Sequence, residues 1–498
     1  MIISPLKPQK TRPVALIVPG WRSVRVISDR GDESAHGPTR VWQLLKSIEH
    51  HVTYVPSNLK SLAHSTGATH WTVDVWRGRA STMRLDGTTL KVSSLRRTLP
   101  AELDAVDQYE TLMEVIDWLS DQGVAPGSVS SMAYRLWRST LSAPLEIGFD
   151  PKVSRRALFG GRKGAAAPMH YRDQVSVDIS RAYPSSMNAR PYGGLMREVS
   201  KETRIDPEVA GLAEISAFVP DELAFPTLPV RLGPSMIQWR HGEIQGVYTW
   251  GEIAAAASLG CRVDVRRVWA PATEIDPFAK WWRLMQSSIE ILPAHSHVLA
   301  KALSNMVWSS FAMTANDTES IRWSDDYAEH ATRVARAPRR MPQANTVHLA
   351  AETSSRVRVR MLLEGLYGDR EAPIHLDTDG MIVSAASAKR RAKGTKLGDW
   401  REKIVMDSVD LRAPQLYRYD CGRRCGDDHS HYHYVAAGTP SRDAAKLFDE
   451  HPGFQVSFSG IDSVVASAST LTPEQIRRYE NASDDVQRLV YGPLLVAS

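Results

Sequence analysis

The segment Ile374-His375-Leu376-Asp377-Thr378-Asp379-Gly380-Met381-Ile382-Val383 places two carboxylates at the centre of an apolar run. Its apolar flanks and Asp-Gly content predict two short strands joined by a tight turn. Side chains two residues apart share a face of an extended chain, so we expect Asp377 and Asp379 to project together. Two close carboxylates raise each other's pKa unless a cation lies between them, and their oxygens suit Mg²⁺ or Mn²⁺. A solvated acidic turn is the alternative for this segment taken alone.

Two earlier segments contain residues that belong with this pair. The run Val175-Ser176-Val177-Asp178-Ile179-Ser180-Arg181-Ala182-Tyr183-Pro184-Ser185 begins as an alternating strand and breaks at its proline, which puts Asp178 near a strand end. Between the two acidic segments, Lys301, Asn305 and Trp308 have the spacing of one helical face. Taken alone, these two segments are interpreted as a strand-end turn and an ordinary amphipathic helix.

The three segments, in this order, resemble motifs A, B and C of family B DNA polymerases. Motif A of that family is D-x-x-S-L-Y-P-S, motif B is K-x-x-x-N-S-x-Y-G, and motif C is D-T-D-S. The distances between them are similar to those of the protein-primed branch. The chain departs from the family at Arg181 in motif A, and Met306, Trp308 and Ser309 replace Ser, Tyr and Gly in motif B.

The resemblance implies a mixed α/β right-hand polymerase fold of palm, fingers and thumb. It implies DNA-directed DNA synthesis with two Mg²⁺ or Mn²⁺ ions per site. The implied catalytic and metal-binding residues are Asp178, Asp377 and Asp379. Tyr183 would be a steric gate that selects dNTPs, and the other implied nucleotide contacts are Lys301, Asn305, Trp308 and Arg283.

Two further segments resemble DNA-binding parts of the family. Leu158-Phe159-Gly160-Gly161-Arg162 is similar to a Y-x-G-G segment that grips template DNA, so Gly160, Gly161 and Arg162 are expected DNA contacts. A flexible glycine-rich linker is the alternative. Gln415-Leu416-Tyr417 stands where the family has K-x-Y, which holds the primer terminus; Tyr417 is kept and the lysine is not.

The resemblance also divides the chain, and each segment is an expectation. For residues 313–346, a disordered surface loop is the alternative to the second insertion named below. The expected parts are an exonuclease-like domain (1–150), a palm segment with a first terminal-protein-region-like insertion (151–272), fingers (273–312), a second such insertion (313–346), a second palm segment (347–450) and a thumb (451–498).

The N-terminal region is expected to be a degenerate RNase H-like exonuclease domain. Proofreading chemistry needs clustered Asp and Glu residues that hold two metals around a water. The strand Val14-Ala15-Leu16-Ile17-Val18 has no acidic residue, and Leu62 stands where the second exonuclease motif should have Asp. Asp104 or Asp107 is a candidate remnant, with a solvated helix face as the alternative.

Composition limits the class of protein only loosely. The chain has 498 residues, 43% of them hydrophobic and 23% charged, with a formal net charge of +5, which permits nucleic-acid binding without requiring it. Three cysteines exclude a disulfide scaffold and fit a reducing compartment. No apolar run approaches the length of a membrane span. These features make a cytoplasmic protein the expectation. The resemblance implies a monomer, in a bacterial host or a phage-infected cell, that acts on primer–template DNA and dNTPs with a terminal protein as a possible further partner.

Three alternatives stay open at this point. The spacing of Cys421, Cys425, His429, His431 and His433 suits either a zinc site or a polar hairpin tip. The chain is also interpretable as a polymerase-derived DNA-binding protein without catalysis, although binding alone needs no paired carboxylates. A nucleotidyltransferase with altered template or primer use is the other rival, because motif B and the primer-contacting lysine are changed.

Overall fold

The structure is a computed structural model, and its secondary structure is mixed α/β. The residues it describes are 2–6, 13–20, 23–36, 38–48, 51–55, 71–76, 79–85, 88–95, 99, 103–166, 169–233, 236–312, 318–323, 332–335, 346–391, 394, 396–413, 415–422, 432–436, 448 and 463–464. Leu62, Asn316, Asp317, the run 336–342 and nearly all of the expected thumb lie outside these residues. None of the described helices is long and apolar enough to span a membrane.

The strands and helices are numbered in the order in which they occur along the chain. The strands are β1 (Ile2–Ile3), β2 (Val14–Gly20), β3 (Ser23–Ser28), β4 (Gly31–His36), β5 (Val52–Val55), β6 (Trp71–Trp76), β7 (Arg79–Leu85), β8 (Thr88–Ser94), β9 (Leu145–Glu146), β10 (Arg162–Ala165), β11 (His170–Ile179), β12 (Tyr192–Gly193), β13 (Met196–Val199), β14 (Leu212–Val219), β15 (Pro229–Gly233), β16 (Met236–Trp239), β17 (Gly242–Thr249), β18 (Arg262–Pro271), β19 (Glu274–Ile275), β20 (Thr318–Trp323), β21 (Thr332–Ala335), β22 (His375–Thr378), β23 (Gly380–Ser384), β24 (Trp400–Ala413), β25 (Leu416–Asp420), β26 (Tyr432–Ala436) and β27 (Ser463–Val464). The helices are α1 (Pro38–Ser47), α2 (Ala105–Asp121), α3 (Val129–Ser139), α4 (Pro151–Ala157), α5 (Ala182–Met187), α6 (Trp250–Ser258), α7 (Ala279–Ile291), α8 (His297–Phe311), α9 (Val347–Arg360) and α10 (Ala385–Arg391).

The chain forms two compact units, each made of two segments. One unit comprises Met1–Gly148 and Ile275–Val347, and the other comprises Phe149–Glu274 and His348–Ser498. These boundaries lie within two residues of three that the sequence predicts, at 150, 272 and 346. The assignment of the segments to named polymerase domains stays a prediction.

The first unit contains a mixed sheet with helices α2, α3, α7 and α8. The sheet order is β21-β20-β6-β7-β8-β5-β2-β3-β4, with β2 and β5 parallel and β2 and β3 antiparallel. Helix α2 begins at Asp104, whose carboxylate accepts bonds from the amides of Val106 and Asp107. In the sequence, the spacing of Leu112, Val115, Ile116 and Leu119 predicts one apolar helix face, and the structure confirms that these residues are buried.

Helix α8 is held within the first unit by an aromatic cluster. Trp137 of α3 packs edge-on against Phe311 of α8, with ring centroids 4.9 Å apart, and also contacts Phe278. Its indole N–H donates to the carbonyl oxygen of Pro277 at 2.9 Å. The sequence predicts two antiparallel helices over residues 277–312 that are broken near Pro293. The break is confirmed, since α7 ends at Ile291 and α8 begins at His297.

The second unit is built on a sheet of order β10-β22-β23-β11-β24-β25-β26. Strand β11 pairs antiparallel with β23 on one side and with β24 on the other. Apolar residues of β11 and β23 pack against helix α9 and the π-helical turn that continues it over Met361–Leu366. A smaller sheet of order β13-β18-β14-β17 packs around α6 with its own core.

Two buried arginines of α9 tie separate segments of the second unit together. Arg356 pairs with Glu352 and donates to the carbonyl oxygens of Ser186 and Pro191 after motif A. Arg358 pairs with Glu252 of α6 at 2.8 Å. Its guanidinium also donates to the carbonyl oxygens of Phe159 and Gly160. Such pairs are costly to break, because one partner is left as a buried uncompensated charge.

Replacing the buried Trp137 tests how far the aromatic cluster stabilises the first unit. Trp137→Phe leaves the buried carbonyl of Pro277 without its donor, so we expect the free energy of unfolding to fall by about 1–3 kcal/mol in urea titrations. Tyr134→Phe keeps the neighbouring ring and is the matched control, with a smaller expected loss. Equal losses in the two variants would contradict a specific role for the Trp137 bond.

Candidate active site

The register of β11 and β23 brings Asp178 to the acidic turn. Asp178 lies opposite Gly380 in this pairing, and Asp377 lies opposite Gly380 in the hairpin of β22 and β23. The amide of Ile179 donates to the carbonyl oxygen of Asp379 at 2.9 Å. A Cβ on Gly380 would come within 3.3 Å of Asp178 Cβ, so the glycine permits this close approach.

The acidic turn is centred on Thr378. Thr378 adopts a φ of 62°, and the amide of Asp379 donates back to the carbonyl oxygen of Asp377 at 2.7 Å. The chain therefore turns at Thr378 instead of extending through it. The expectation that Asp377 and Asp379 share a face of an extended strand is wrong, and Asp377 is exposed while Asp379 is partly buried.

Asp379 is the carboxyl group most perturbed by its surroundings. Burial, together with the charges of Asp377 and Asp178, raises its pKa from 3.8 to about 6, and the charge of Lys403 opposes this shift. Asp377 and Asp178 are thus close enough to oppose the ionisation of Asp379. A cation at this sheet edge would relieve that repulsion.

Asp178 is bonded to two cations of β24. Arg401 Nε lies 2.8 Å from one carboxylate oxygen and Lys403 Nζ lies 3.6 Å from the other. The side chain of Asp178 is 15% exposed, whereas those of Arg401 and Lys403 are 45% and 56% exposed. The carboxylate of Asp178 is therefore mostly buried, whereas its two cationic partners are accessible to solvent.

Asp377 has its own set of partners. Lys163 of β10 lies opposite Asp377 in the register of β10 and β22, and its Nζ is 3.9 Å from Oδ1. The side-chain amide of Gln415 donates to the same oxygen at 2.6 Å. Burial lowers the pKa of Lys163.

The carboxylate oxygens of Asp178, Asp377 and Asp379 are chemically suited to a hard divalent cation. Carboxylate oxygens are the ligands that Mg²⁺ and Mn²⁺ prefer. Among the described residues, the structure contains no group of three or more Asp, Glu, His or Cys side chains that lie close enough together to hold a metal ion. Two of the three aspartates are bonded to Arg401, Lys403, Lys163 and Gln415 instead.

Tyr183 lies within the electrostatic reach of the acidic turn. It belongs to α5, a short helix that begins after Arg181 and contains Pro184, so the segment predicted as a turn is helical. Burial raises the pKa of Tyr183 above its usual range, and the charges of Asp379 and Asp377 add to this shift. The ring is thus placed beside the carboxylates, and its role as a steric gate stays a prediction.

The glycine pair lies directly against the acidic turn. A Cβ on Gly161 would overlap the side chain of Thr378 and approach its Cα to 2.8 Å. Arg162 turns inward, donates to the carbonyl oxygen of Pro226 at 2.7 Å and stacks over the ring of Trp239. Burial lowers the pKa of Arg162 to about 10. The DNA contacts expected of Gly160, Gly161 and Arg162 stay predictions.

Tyr417 packs on the far side of the acidic hairpin. Its ring lies 4.9 Å from that of the buried His375, which accepts a bond from the amide of Gln415. Burial lowers the pKa of His375 to about 4, so this imidazole is neutral at pH 7. Tyr417 is held near Asp377, and its primer contact stays a prediction.

The hairpin interpretation of the Cys–His segment is confirmed by the pairing of β25 and β26, which matches Asp420 with Tyr432. Cys421 is disulfide-bonded, which removes its thiolate from a zinc site. This bond departs from the expectation that the cysteines fit a reducing compartment. Cys425, His429 and His431 lie outside the described residues.

In the other unit, the predicted face of α8 is confirmed. Lys301 and Asn305 are exposed and Trp308 is partly exposed, while Leu303 and Val307 on the opposite face are buried. Arg283 is exposed on α7. Nucleotide contacts by these four residues stay predictions.

Three acidic residues of the first unit have structural partners. Asp104 caps α2, Asp29 pairs with His51, and Asp32 pairs with Arg25. Strand β2 contains no acidic residue, and Asp107 is exposed on α2. Loss of exonuclease chemistry stays a prediction.

Sequence reasoning missed the cations Arg401 and Lys403, and it did not predict that Lys163 pairs with Asp377. Arg401 and Lys403 follow Trp400 with the i, i+2 spacing of one strand face, which was a usable signal. Their proximity to Asp178 depends on a pairing between segments more than two hundred residues apart, which the local pattern does not contain.

Comparison with solved structures shows which known fold this chain has. The ternary complex of phi29 DNA polymerase with primer-template DNA and incoming nucleotide substrates matches with a TM-score of 0.65, covering 91% of this chain and 96% of that chain at 11% identity. The chain has the fold of phi29 DNA polymerase. Its complex with single-stranded DNA matches with a TM-score of 0.63, and its orthorhombic crystal form with 0.64, both at 11% identity. The two structures cover 90% and 89% of this chain, and 95% of each phi29 polymerase chain is matched.

The likeness to phi29 DNA polymerase is one of fold, because so few residues are identical. No protein-family model matches the chain, and no curated protein matches it by sequence. At the level of fold, the comparison confirms the predicted resemblance to protein-primed family B polymerases and the predicted mixed α/β fold class.

The contact between Gly161 and Thr378 can be tested by mutational coupling. Gly161→Ala introduces a Cβ against the turn, so we expect it to lower the free energy of unfolding by about 1–3 kcal/mol. The loss should shrink in a Thr378→Gly background, where the overlapping side chain is absent. The matched control is Gly251→Ala, whose Cβ would meet only the carbonyl oxygen of Pro207 at 4.0 Å. Additive losses in urea titrations would contradict the contact.

The raised pKa of Asp379 predicts a stability gain on neutralising it. Its pKa is about 6 when folded and 3.8 ordinarily, so ionisation destabilises the folded state progressively as pH rises from about 4 through 6. We expect Asp379→Asn to raise the free energy of unfolding at pH 7.5 without divalent metal, and to leave it unchanged near pH 3.5. Asp264→Asn, at an exposed position, is the control. A gain that does not depend on pH would rule out this electrostatic origin.

Proposed function

We propose that the chain is a DNA-directed DNA polymerase that transfers a deoxynucleotidyl group from a dNTP to a 3′-hydroxyl and releases pyrophosphate. The observation that carries the proposal is the pairing of Asp178 with Gly380, which brings three carboxylates to one sheet edge in a protein with the fold of phi29 DNA polymerase. The raised pKa of Asp379 supports it, because a structural turn has no need of mutually repelling acids.

The chain's residues would act by holding and orienting. Asp178 and Asp379 would hold two divalent metals, Mg²⁺ or Mn²⁺, with Asp377 assisting. Such metals lower the pKa of an attacking hydroxyl and stabilise a leaving oxygen. Tyr183, beside these carboxylates, would exclude a 2′-hydroxyl and select dNTPs. Lys301, Asn305, Trp308 and Arg283 would contact the nucleotide, and Gly160, Gly161, Arg162 and Tyr417 the DNA.

We further propose that synthesis is protein-primed and lacks proofreading. Priming by a terminal protein is supported by two terminal-protein-region-like segments of the sequence and by the phi29-like fold. Loss of proofreading is supported by β2, which has no acidic residue, and by the structural partners that occupy Asp29, Asp32 and Asp104. We also propose that the chain acts as a monomer in the cytoplasm of a bacterial or phage-infected cell.

Extension of a labelled primer–template with four dNTPs and Mg²⁺ tests the proposal. We expect templated extension by the unaltered chain and a loss of more than about a hundredfold in Asp178→Asn and Asp379→Asn, since even outer-shell partners of metal ligands contribute about 10–100-fold. DNA binding, followed by fluorescence anisotropy, should be nearly unchanged. Asp264→Asn is the control for the charge change.

Other outcomes of the same assay separate the rival functions. Unchanged extension in Asp379→Asn would refute the site. Extension that ignores template sequence would point to an untemplated nucleotidyltransferase. If the unaltered chain extends no DNA primer, candidate priming proteins are supplied with labelled dNTP. Label transfer to a Ser, Thr or Tyr hydroxyl then supports protein priming, and no transfer leaves the chain a DNA-binding protein.

A further inference from the structure

On the side of Asp178 that faces β24, two positively charged side chains lie next to a single carboxylate. Arg401 lies directly opposite Asp178 in the register and is bonded to one of its oxygens, while Lys403 reaches the other. Both cations are about half exposed, so a ligand from solvent can contact them without a change of backbone.

A β-bulge lies at Lys403, where β24 pairs with β11. Val177 pairs with Glu402 and Ser176 pairs with Ile404, so Lys403 is the extra residue of β24 between two matched pairs. Bulges occur next to active sites, where they re-aim a side chain. Beside this bulge, Lys403 Nζ lies 3.6 Å from the carboxylate of Asp178, to which Arg401 is also bonded.

A third cation adds to the positive charge at this strand end. Arg181, with a φ of 49°, comes three residues after Asp178, and the positive charge of Arg401 adds to burial in lowering its pKa. The charges of Arg401 and Lys403 together exceed the single negative charge of Asp178. Lys403 also acts on the charge of Asp379, and Arg181 adds further positive charge. Such a positive potential favours an anionic ligand with more than one negative charge.

We propose that Arg401 and Lys403, together with Arg181, bind the polyphosphate of an incoming nucleoside triphosphate, and that their bonds to Asp178 are the resting arrangement without ligand. The inference rests on the proposed function. It adds a polyphosphate-binding site on the sheet that contains Asp178. Arg401 and Lys403, which would form this site, lie outside motifs A, B and C. Arg401 supplies a planar fork suited to two phosphate oxygens, and Lys403 supplies a compact charge.

The position of these cations favours the nucleotide over the DNA backbone. Neighbouring strands lie about 4.8 Å apart, and β11 separates β24 from β23, so the cations and the acidic turn flank Asp178 on opposite sides. A polyphosphate bound by Arg401 and Lys403 would lie beside the carboxylates that would hold the metals. A single backbone phosphate supplies one negative charge, which matches this positive potential less well.

The test measures binding by the full chain, so that it does not depend on catalysis. Inorganic tripolyphosphate, dATP and a primer–template are titrated against the unaltered chain and the Arg401→Gln/Lys403→Gln double variant, and Mn²⁺ binding is followed by electron paramagnetic resonance. We expect affinity for tripolyphosphate and dATP to fall about tenfold or more, as for lost charge-assisted bonds. Mn²⁺ binding should be kept or strengthened, because Asp178 loses two competing cations. Lys201→Gln, an exposed charge change elsewhere, should alter none of these.

The remaining outcomes would overturn the inference. A double variant with unchanged tripolyphosphate and dATP affinity but weaker primer–template binding would assign the cations to the DNA backbone. Stronger Mn²⁺ binding as the sole change would make them counter-ions of Asp178. Arg401→Lys should restore part of the lost affinity; no recovery, with a lowered unfolding midpoint, would indicate a structural role. Primer extension by the unaltered chain is run in parallel, so failure of the proposed function is seen separately.

Discussion

The antiparallel pairing of β11 with β23 is the constraint on which the candidate site depends. It sets Asp178 opposite Gly380, and Gly380 follows the second carboxylate of the acidic turn. A one-residue slip would send every side chain of β11 to the other face and remove Asp178 from the turn. The apolar residues Val175, Val177, Met381 and Val383 fix the register, because they are buried together against α9. The hydrophobic core thus specifies where the charges meet.

The charges around β11 are arranged by sign. On the β23 side, Asp377 and Asp379 concentrate negative charge, partly offset by Lys163. On the β24 side, Arg401 and Lys403 concentrate positive charge. A magnesium–nucleotide complex has the same polarity, with a cation toward the carboxylates and phosphates toward the cations. Asp178 lies between the two groups and is the residue whose partners would change when a ligand enters.

The sequence predicted the elements that depend on local pattern. The acidic hairpin, the strand before Asp178, the exposed face of α8 with Lys301, and the buried face of α2 all follow from periodicity and turn residues. The pattern did not predict the left-handed turn at Thr378, because a β-branched residue is disfavoured there and the strain is tolerated only through packing. Nor did it predict Arg401, Lys403 and Gln415 as partners of the aspartates, since those contacts arise from long-range pairing. The pattern also did not predict the burial of Arg356 and Arg358, since that burial depends on carbonyl groups from distant segments.

The same long-range pairing has a consequence for how the protein is made. Strand β11 ends at Ile179, but both of its neighbours, β23 and β24, come after residue 379. During synthesis the first acidic residue therefore leaves the ribosome about two hundred residues before its strand partners, at a translation rate of roughly 5–20 residues per second. The intervening segment includes Ile275–Val347 of the other unit, so this part of the chain is synthesised before β11 can pair with β23 and β24. The sheet that carries the site is thus a late-forming element of high contact order, and β11 has unpaired edges until β23 and β24 are available.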